Sequence, residues 1–392
     1  MAVPVIPAVD ERLKTTSLSL SVGYGARHDP VEFGGIAHLL EHLLMSTPVA
    51  GLPSFSEHVE RLGGYANAQT APELMQFYAQ VHADDADEIA ELLHTAVLTP
   101  SFDAKLLDAE RTVVLQELAT GAADPADAVQ DAILAELFAG HPLGRPVGGV
   151  PAELEAMTVD DVRREHTNTF LRSPMVLVVV GPRIPKPLLA SPAVRPSVRG
   201  DVTAPALAAP RGVPAWPLGE DLCWVCLGAP SPAATDARRF AFTLLAKLLG
   251  SSPSSLLYRS LRGAEGISYS FQAWNRGYTE IGAWRLLAGV QPSSAQRLLD
   301  IVHGLLADLA AAGPSPADLD AARRQAVMSL VRAEETPIER ANLIGRLTAA
   351  GTIPWSVDDD LAQLRAVTVD DIRAAATEVA RALHVTVRPE AS

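Results

Sequence analysis

An α+β fold in two homologous domains, each an antiparallel sheet with helices packed on one face, is what the sequence predicts. Three observations carry this. Strand-like and helix-like periodicities mix along the 392 residues without a βαβ rhythm. A proline-rich stretch over residues 182–217 forbids a helix or a central strand and divides the chain into parts of similar size. The two parts echo each other. Leu154-Glu-Ala-Met-Thr-Val-Asp-Asp-Val162 returns as Leu364-Arg-Ala-Val-Thr-Val-Asp-Asp-Ile372, and Leu107-Asp-Ala-Glu-Arg111 as Leu319-Asp-Ala-Ala-Arg323. Two matches in the same order at nearly the same offset indicate duplication. The expected organisation is a domain over 1–183, a linker over 184–217 and a repeat domain over 218–392.

The elements follow in order. Residues 17–24 alternate and predict a strand. Residues 34–46 and 54–62 predict helices, the second ended by Gly63-Gly64. Residues 75–82 alternate again, with Met75, Phe77, Ala79 and Val81 on one face. Ala/Leu/Glu-rich helices are expected near 84–98, 103–120 and 125–139. Thr158 and Thr368 read as N-caps, each with an Asp at the third helical position. The apolar run from Met175 to Val180 reads as a buried strand. The second half repeats the plan: strand 222–228, helices 235–250 and 254–263, strands near 267–274 and 280–288, then helices 293–311, 315–333 and 336–350. Before residue 17 stand two prolines, Pro4 and Pro7. They leave the first sheet short of a strand, or with a poorly formed one.

Composition narrows the function. Net charge is −14, which repels phosphate backbones and argues against nucleic acid as a partner. Residues 1–183 carry 11 Lys+Arg and 26 Asp+Glu, so the acidity sits in the first half. The first residues lack the pattern of a secretory signal, and no long stretch is apolar and uncharged, so no membrane span is expected. Two cysteines cannot build a disulfide framework, which suggests a cytoplasmic protein. Cys223-Trp-Val-Cys226 lies in a strand-like run, where residues three apart point to opposite faces. Structural cysteines are expected rather than a redox pair or half a zinc site.

The sharpest motif is His38-Leu39-Leu40-Glu41-His42. His38 and His42 lie one helical turn apart on one face and can share a Zn²⁺ ion. Glu41 borders that face and can act as a general base. The plain alternative is two partly exposed histidines on an amphipathic helix. A catalytic zinc needs a third protein ligand. Glu110 and Glu117, seven apart on one expected helix, are the carboxylates to consider.

Together these residues resemble the pitrilysin, insulin-degrading enzyme and mitochondrial processing peptidase family of inverted zinc peptidases, in its short bacterial type. Gly63-Gly-Tyr-Ala-Asn-Ala-Gln-Thr70, His141-Pro-Leu-Gly-Arg-Pro146 and Leu261-Arg-Gly-Ala-Glu-Gly-Ile-Ser-Tyr269 resemble further family segments, so the likeness covers nearly the whole chain. The resemblance implies that His38, His42 and Glu117 ligate zinc, that Glu41 is the base, and that Glu110 orients a ligand histidine. It implies that Asn67 and Ala68 lie on an edge strand that takes substrate backbone, and that Arg262 and Tyr269 stabilise the oxyanion. In the repeat, Leu244, Lys247 and Leu248 stand where His38, Glu41 and His42 do, so the second copy has lost the metal. The implied function is a zinc metalloendopeptidase that cleaves peptides or unfolded segments in a chamber formed by a dimer. The partner is a second copy or a related subunit; the acidic first half, read from its charge, suggests a cationic peptide substrate. The alternatives are a leader-peptide processing subunit of a heterodimer and a non-catalytic scaffold subunit.

Overall fold

The computed structural model describes residues 3–49, 51–192, 203–264, 270–349 and 355–391. In chain order the first half holds β1 (Val5–Val9), β2 (Thr15–Val22), α1 (Ile36–Ser46), α2 (Phe55–Arg61), β3 (Tyr65–Thr70), β4 (Met75–His82), α3 (Ala86–Leu98), α4 (Ala104–Ala123), α5 (Pro125–Leu137), α6 (Pro151–Ala156), α7 (Val159–Asn168) and β5 (Met175–Gly181). The second half holds β6 (Cys223–Ser231), α8 (Arg239–Leu248), a single turn α9 (Leu256–Tyr258), β7 (Ser270–Gly277), β8 (Gly282–Val290), α10 (Pro292–Ala312), α11 (Pro316–Glu335), α12 (Pro337–Ala349), α13 (Val357–Ala366), α14 (Val369–Arg381) and β9 (His384–Arg388).

Packing sorts these elements into two compact units that do not follow chain order. One comprises Met1–Ala119, Arg145–Arg199 and Arg332–Trp355; the other comprises Thr120–Gly144, Gly200–Val331 and Ser356–Ser392. Thus α12, from the second half, belongs to the first unit, and α5, from the first half, belongs to the second.

The first unit is built on a five-stranded sheet of order β1-β5-β2-β4-β3. Its pairings are antiparallel except β1 with β5, which is parallel. The doubtful N-terminal strand therefore forms. Pro7 is tolerated because β1 is an edge strand with one neighbour. One face packs under α1, α2, α3 and α7, with Leu18, Leu20, Phe77, Val179, Leu39 and Leu43 in a shared core. The opposite face is not bare. Val176, Val178 and Val180 alternate with the core residues of β5 and are covered by Ala341 and Ile344 of α12. This is why the run from Met175 to Val180 lacks alternation: both faces of the strand are buried.

The second unit repeats the arrangement on a four-stranded antiparallel sheet of order β7-β8-β6-β9. Its principal helical layer is α8, α10 and α14, packed on Val225, Leu227, Trp284 and Leu286. On the other face, Val129, Ile133, Leu137 and Phe138 of α5 pack on Cys226 and Leu287. Cys223 and Cys226 are both free and buried, on opposite faces of β6. Burial pushes their thiols up to about 11 and about 12, so both are inert apolar fillers.

The repeat survives in detail. Thr158 and Thr368 each form a capping box with Asp161 and Asp371. Arg111 donates to the carbonyl of Met157 and Arg323 to that of Val367, in each case the residue before the capping threonine.

Candidate metal centre

Helix α1 presents two faces. Leu39, Leu40, Leu43 and Leu44 are fully buried, while His38, Glu41 and His42 lie on the half-buried side. The helix start is fixed by Asp29, whose buried carboxylate accepts the backbone N–H groups of Gly35 (2.7 Å) and Ala37 (3.2 Å). Gly35 has φ 98°, and a Cβ on Gly149 would overlap its backbone. Only glycine at both places lets the 148–149 loop pass over the helix start.

Helix α4 supplies the carboxylates. Glu117 Oε2 lies 3.6 Å from His38 Nε2 and 3.4 Å from His42 Nε2. Glu110 Oε2, two turns earlier, lies 3.3 Å from His42 Nδ1. Ligand atoms of His38, His42 and Glu117 all fall within 4.8 Å of one another, the one such metal-holding group among the described residues. The residues fit a zinc ion. Ligands at zinc bond lengths on a tetrahedron are separated by about 3.3 Å, close to the two carboxylate–imidazole distances here. Burial, and then the neighbouring His42, lower the pKa of His38 to about 4, so its imidazole is neutral and able to ligate at pH 7. The contact with Glu110 favours the His42 tautomer with a free Nε2. His38 lacks such support: its Nδ1 is buried without a hydrogen-bond partner among the described residues.

Glu41 sits beside this group. Burial raises its pKa, and the Thr70 hydroxyl, 2.5 Å from Glu41 Oε2, works against that rise. Thr70 ends β3, the edge strand of the first sheet. Asn67 and Ala68 lie on the same strand. Asn67 donates to Tyr65 Oη (3.2 Å) and accepts the N–H of Ala68 (2.8 Å).

Arg262 lies in the helical turn over Arg259–Ala264 of the second unit. Its side chain and the whole of Tyr269 fall outside the described residues. Thr70 stands in the sequence only as the end of a motif, without a role of its own, and Asp29 belongs to no motif. Neither has a sequence signal beyond its type: the Thr70 contact forms only when segments 29 residues apart meet, and Asp29 stands too far ahead of α1 to match a local capping pattern.

The matching place in the second unit holds no metal set among the described residues. Leu244 and Leu248 are buried core, and Lys247 Nζ lies 3.4 Å from Ser329 Oγ. Ser329 stands at the 212-residue offset from Glu117 that also pairs Arg111 with Arg323.

Known proteins show the same division. A model of the insulinase family, peptidase family M16, matches residues 5–150, and a model of the peptidase M16 inactive domain matches residues 201–326. An uncharacterized zinc protease of Mycobacterium bovis is 30% identical over 383 residues, covering 95% of this chain and 86% of that protein. Another, from Mycobacterium leprae, is 29% identical over 386 residues, covering 95% and 85%. A protease from Helicobacter pylori shares the fold, with a TM-score of 0.84 at 20% identity over 98% of this chain and 96% of that one. On the strength of these matches, the chain belongs to the insulinase family, peptidase family M16.

Proposed function

We propose that the protein is a zinc-dependent endopeptidase acting on peptides or unfolded segments. The convergence of His38, His42 and Glu117 beside Glu41 is the observation that carries this reading. His38, His42 and Glu117 would hold the ion, with Glu110 orienting His42. When bound, Zn²⁺ supplies Lewis-acid polarisation of a carbonyl and lowers the pKa of water. Thr70 holds one oxygen of Glu41, leaving the other to take a proton from the attacking water and pass it to the leaving amine. The free edge of β3 at Asn67 and Ala68 suits backbone pairing with an extended substrate. Arg262 and Tyr269 are assigned to the oxyanion by motif, with a partner subunit as their source. A chamber closed by a homodimer or a related subunit, and a cytoplasmic location, complete the reading. The location accords with two unpaired cysteines; among the described residues no helix is long and apolar enough to cross a membrane.

Glu41→Gln tests the base directly. The variant is expected to retain zinc near one per chain and to lose cleavage of a fluorogenic peptide. Full activity would refute the assignment.

A further inference from the structure

The segments that change units are the same segment in both copies of the repeat. Residues 120–144 leave the first half for the second unit, and 332–355 leave the second half for the first. Their starts are 212 residues apart, the offset that pairs Arg111 with Arg323. Each delivers one helix to the open face of the other half's sheet.

That offset also pairs Ile133 of α5 with Gly345 of α12. Both sit where the helix comes close to a central strand. A Cβ on Gly345 would stand 3.2 Å from Ser21 Cβ of β2 and nearer still to Ser21 Oγ. A Cβ on Gly228 of β6 would stand 2.6 Å from Ile133 Cγ1. The glycine is therefore on the helix in one unit and on the strand in the other. A glycine inside a helix is disfavoured, and Gly345 is explained by this close approach.

We propose that these paired glycines are an address: α12 fits only the first sheet and α5 only the second, so the two halves of the chain assemble by reciprocal exchange and hold together without the linker. If each half kept its own segment, Ile133 would be driven into Ser21, and Gly345 would face Gly228 across a void.

Polar contacts point the same way. Gln76 Nε2 of β4 donates to Asn342 O of α12 (2.9 Å) in the first unit. In the second, His384 Nδ1 of β9 lies 2.8 Å from Glu136 Oε1 of α5. Without exchange, Glu136 would lose its histidine against an apolar strand. The half with the metal ligands thus depends on α12 to cover Val176, Val178 and Val180.

The inference is independent of the peptidase reading, and its readouts are mass and thermal unfolding. A specific protease site is inserted into residues 203–217 of the full-length protein, which is then nicked. The fragments are expected to co-elute at the volume of the intact chain; their separation under native conditions would overturn the proposal. Gly345→Ile is expected to lower the unfolding midpoint by about 5 °C or more, and Ser21→Gly in the same chain to restore part of the loss by recreating the pairing of the second unit. A double variant no more stable than Gly345→Ile alone would also overturn it. Should Gly345→Ile not fold, Gly345→Ala with and without Ser21→Gly gives the same comparison.

Discussion

The hydrogen bond from Thr70 to Glu41 allows a quantitative test of how the base is held. Thr70→Val keeps the shape of the side chain and removes the hydroxyl that lies 2.5 Å from Glu41 Oε2. The acceptor is a carboxylate, and hydrogen bonds to charged groups contribute about 1.5–3 kcal/mol. If that contribution is spent on keeping Glu41 ionised and aimed, its loss appears in the barrier. The expected fall in kcat/KM at neutral pH is then roughly 10- to 100-fold. The assay is cleavage of an internally quenched peptide, with zinc content and thermal unfolding measured on the same samples. Zinc should stay bound, because Thr70 touches no ligand atom. Thr70→Ser, which restores the donor, should recover most of the activity. A folded Thr70→Val protein with unchanged kcat/KM would refute the positioning role.

Three further outcomes are expected. Glu110→Ala removes the partner of His42 Nδ1 and should weaken zinc affinity about 10- to 100-fold in chelator competition, with the fold intact; unchanged affinity would show that Glu110 does not orient the ligand. Burial pushes the carboxyl of Asp29 up from its ordinary 3.8 to about 7. A folded pKa raised in this way means that the native state binds the proton more tightly than the unfolded chain. The contribution to stability is therefore full below about pH 4 and is lost as pH rises toward 7. His38 and His166, shifted downward by burial, pull the other way but are common to both proteins. The stability of wild type minus that of Asp29→Asn should decline across this window in urea titrations; a pH-independent difference would refute the shift. Finally, the net −15 of residues 1–183 should favour cleavage of basic over matched acidic peptides at low salt, with the preference shrinking at high salt; equal rates at low salt would remove charge as a selector.

Local chemistry made much of this legible. Alternation located Met75–His82 to the residue, and the helix over 34–46 differs from Ile36–Ser46 only at its start, where the Asp29 cap replaces a local one. The capping threonines announced α7 and α14. The pentapeptide from His38 to His42 placed three groups on one face, while Glu117 needed the family resemblance, because spacing on α4 cannot say what the helix faces. Helix α4 is less embedded than its valines suggest: Val114 is buried and Val113 is exposed. The N-terminal strand was obscured because prolines speak against a central strand and carry no information about an edge. The exchange of α5 and α12 was hidden for a related reason. An amphipathic helix shows that one side will be covered and leaves the covering surface unnamed.

The two borders of the first sheet are unequal, and the inequality comes from single residues. On the outer side of β1, Val5 donates its N–H to Pro192 O, and Pro7, two residues on, has no N–H to give. A foreign strand arriving there finds one donor taken and the next missing. At the opposite border β3 carries no proline, and its last residue grips Glu41. An extended chain that drifts onto this sheet meets a blocked margin at β1, whereas the margin at β3 is the one the proposed function assigns to substrate. The block at β1 guards against sticking to other molecules, and on the proposed function the open margin at β3 would lead a bound chain to Glu41.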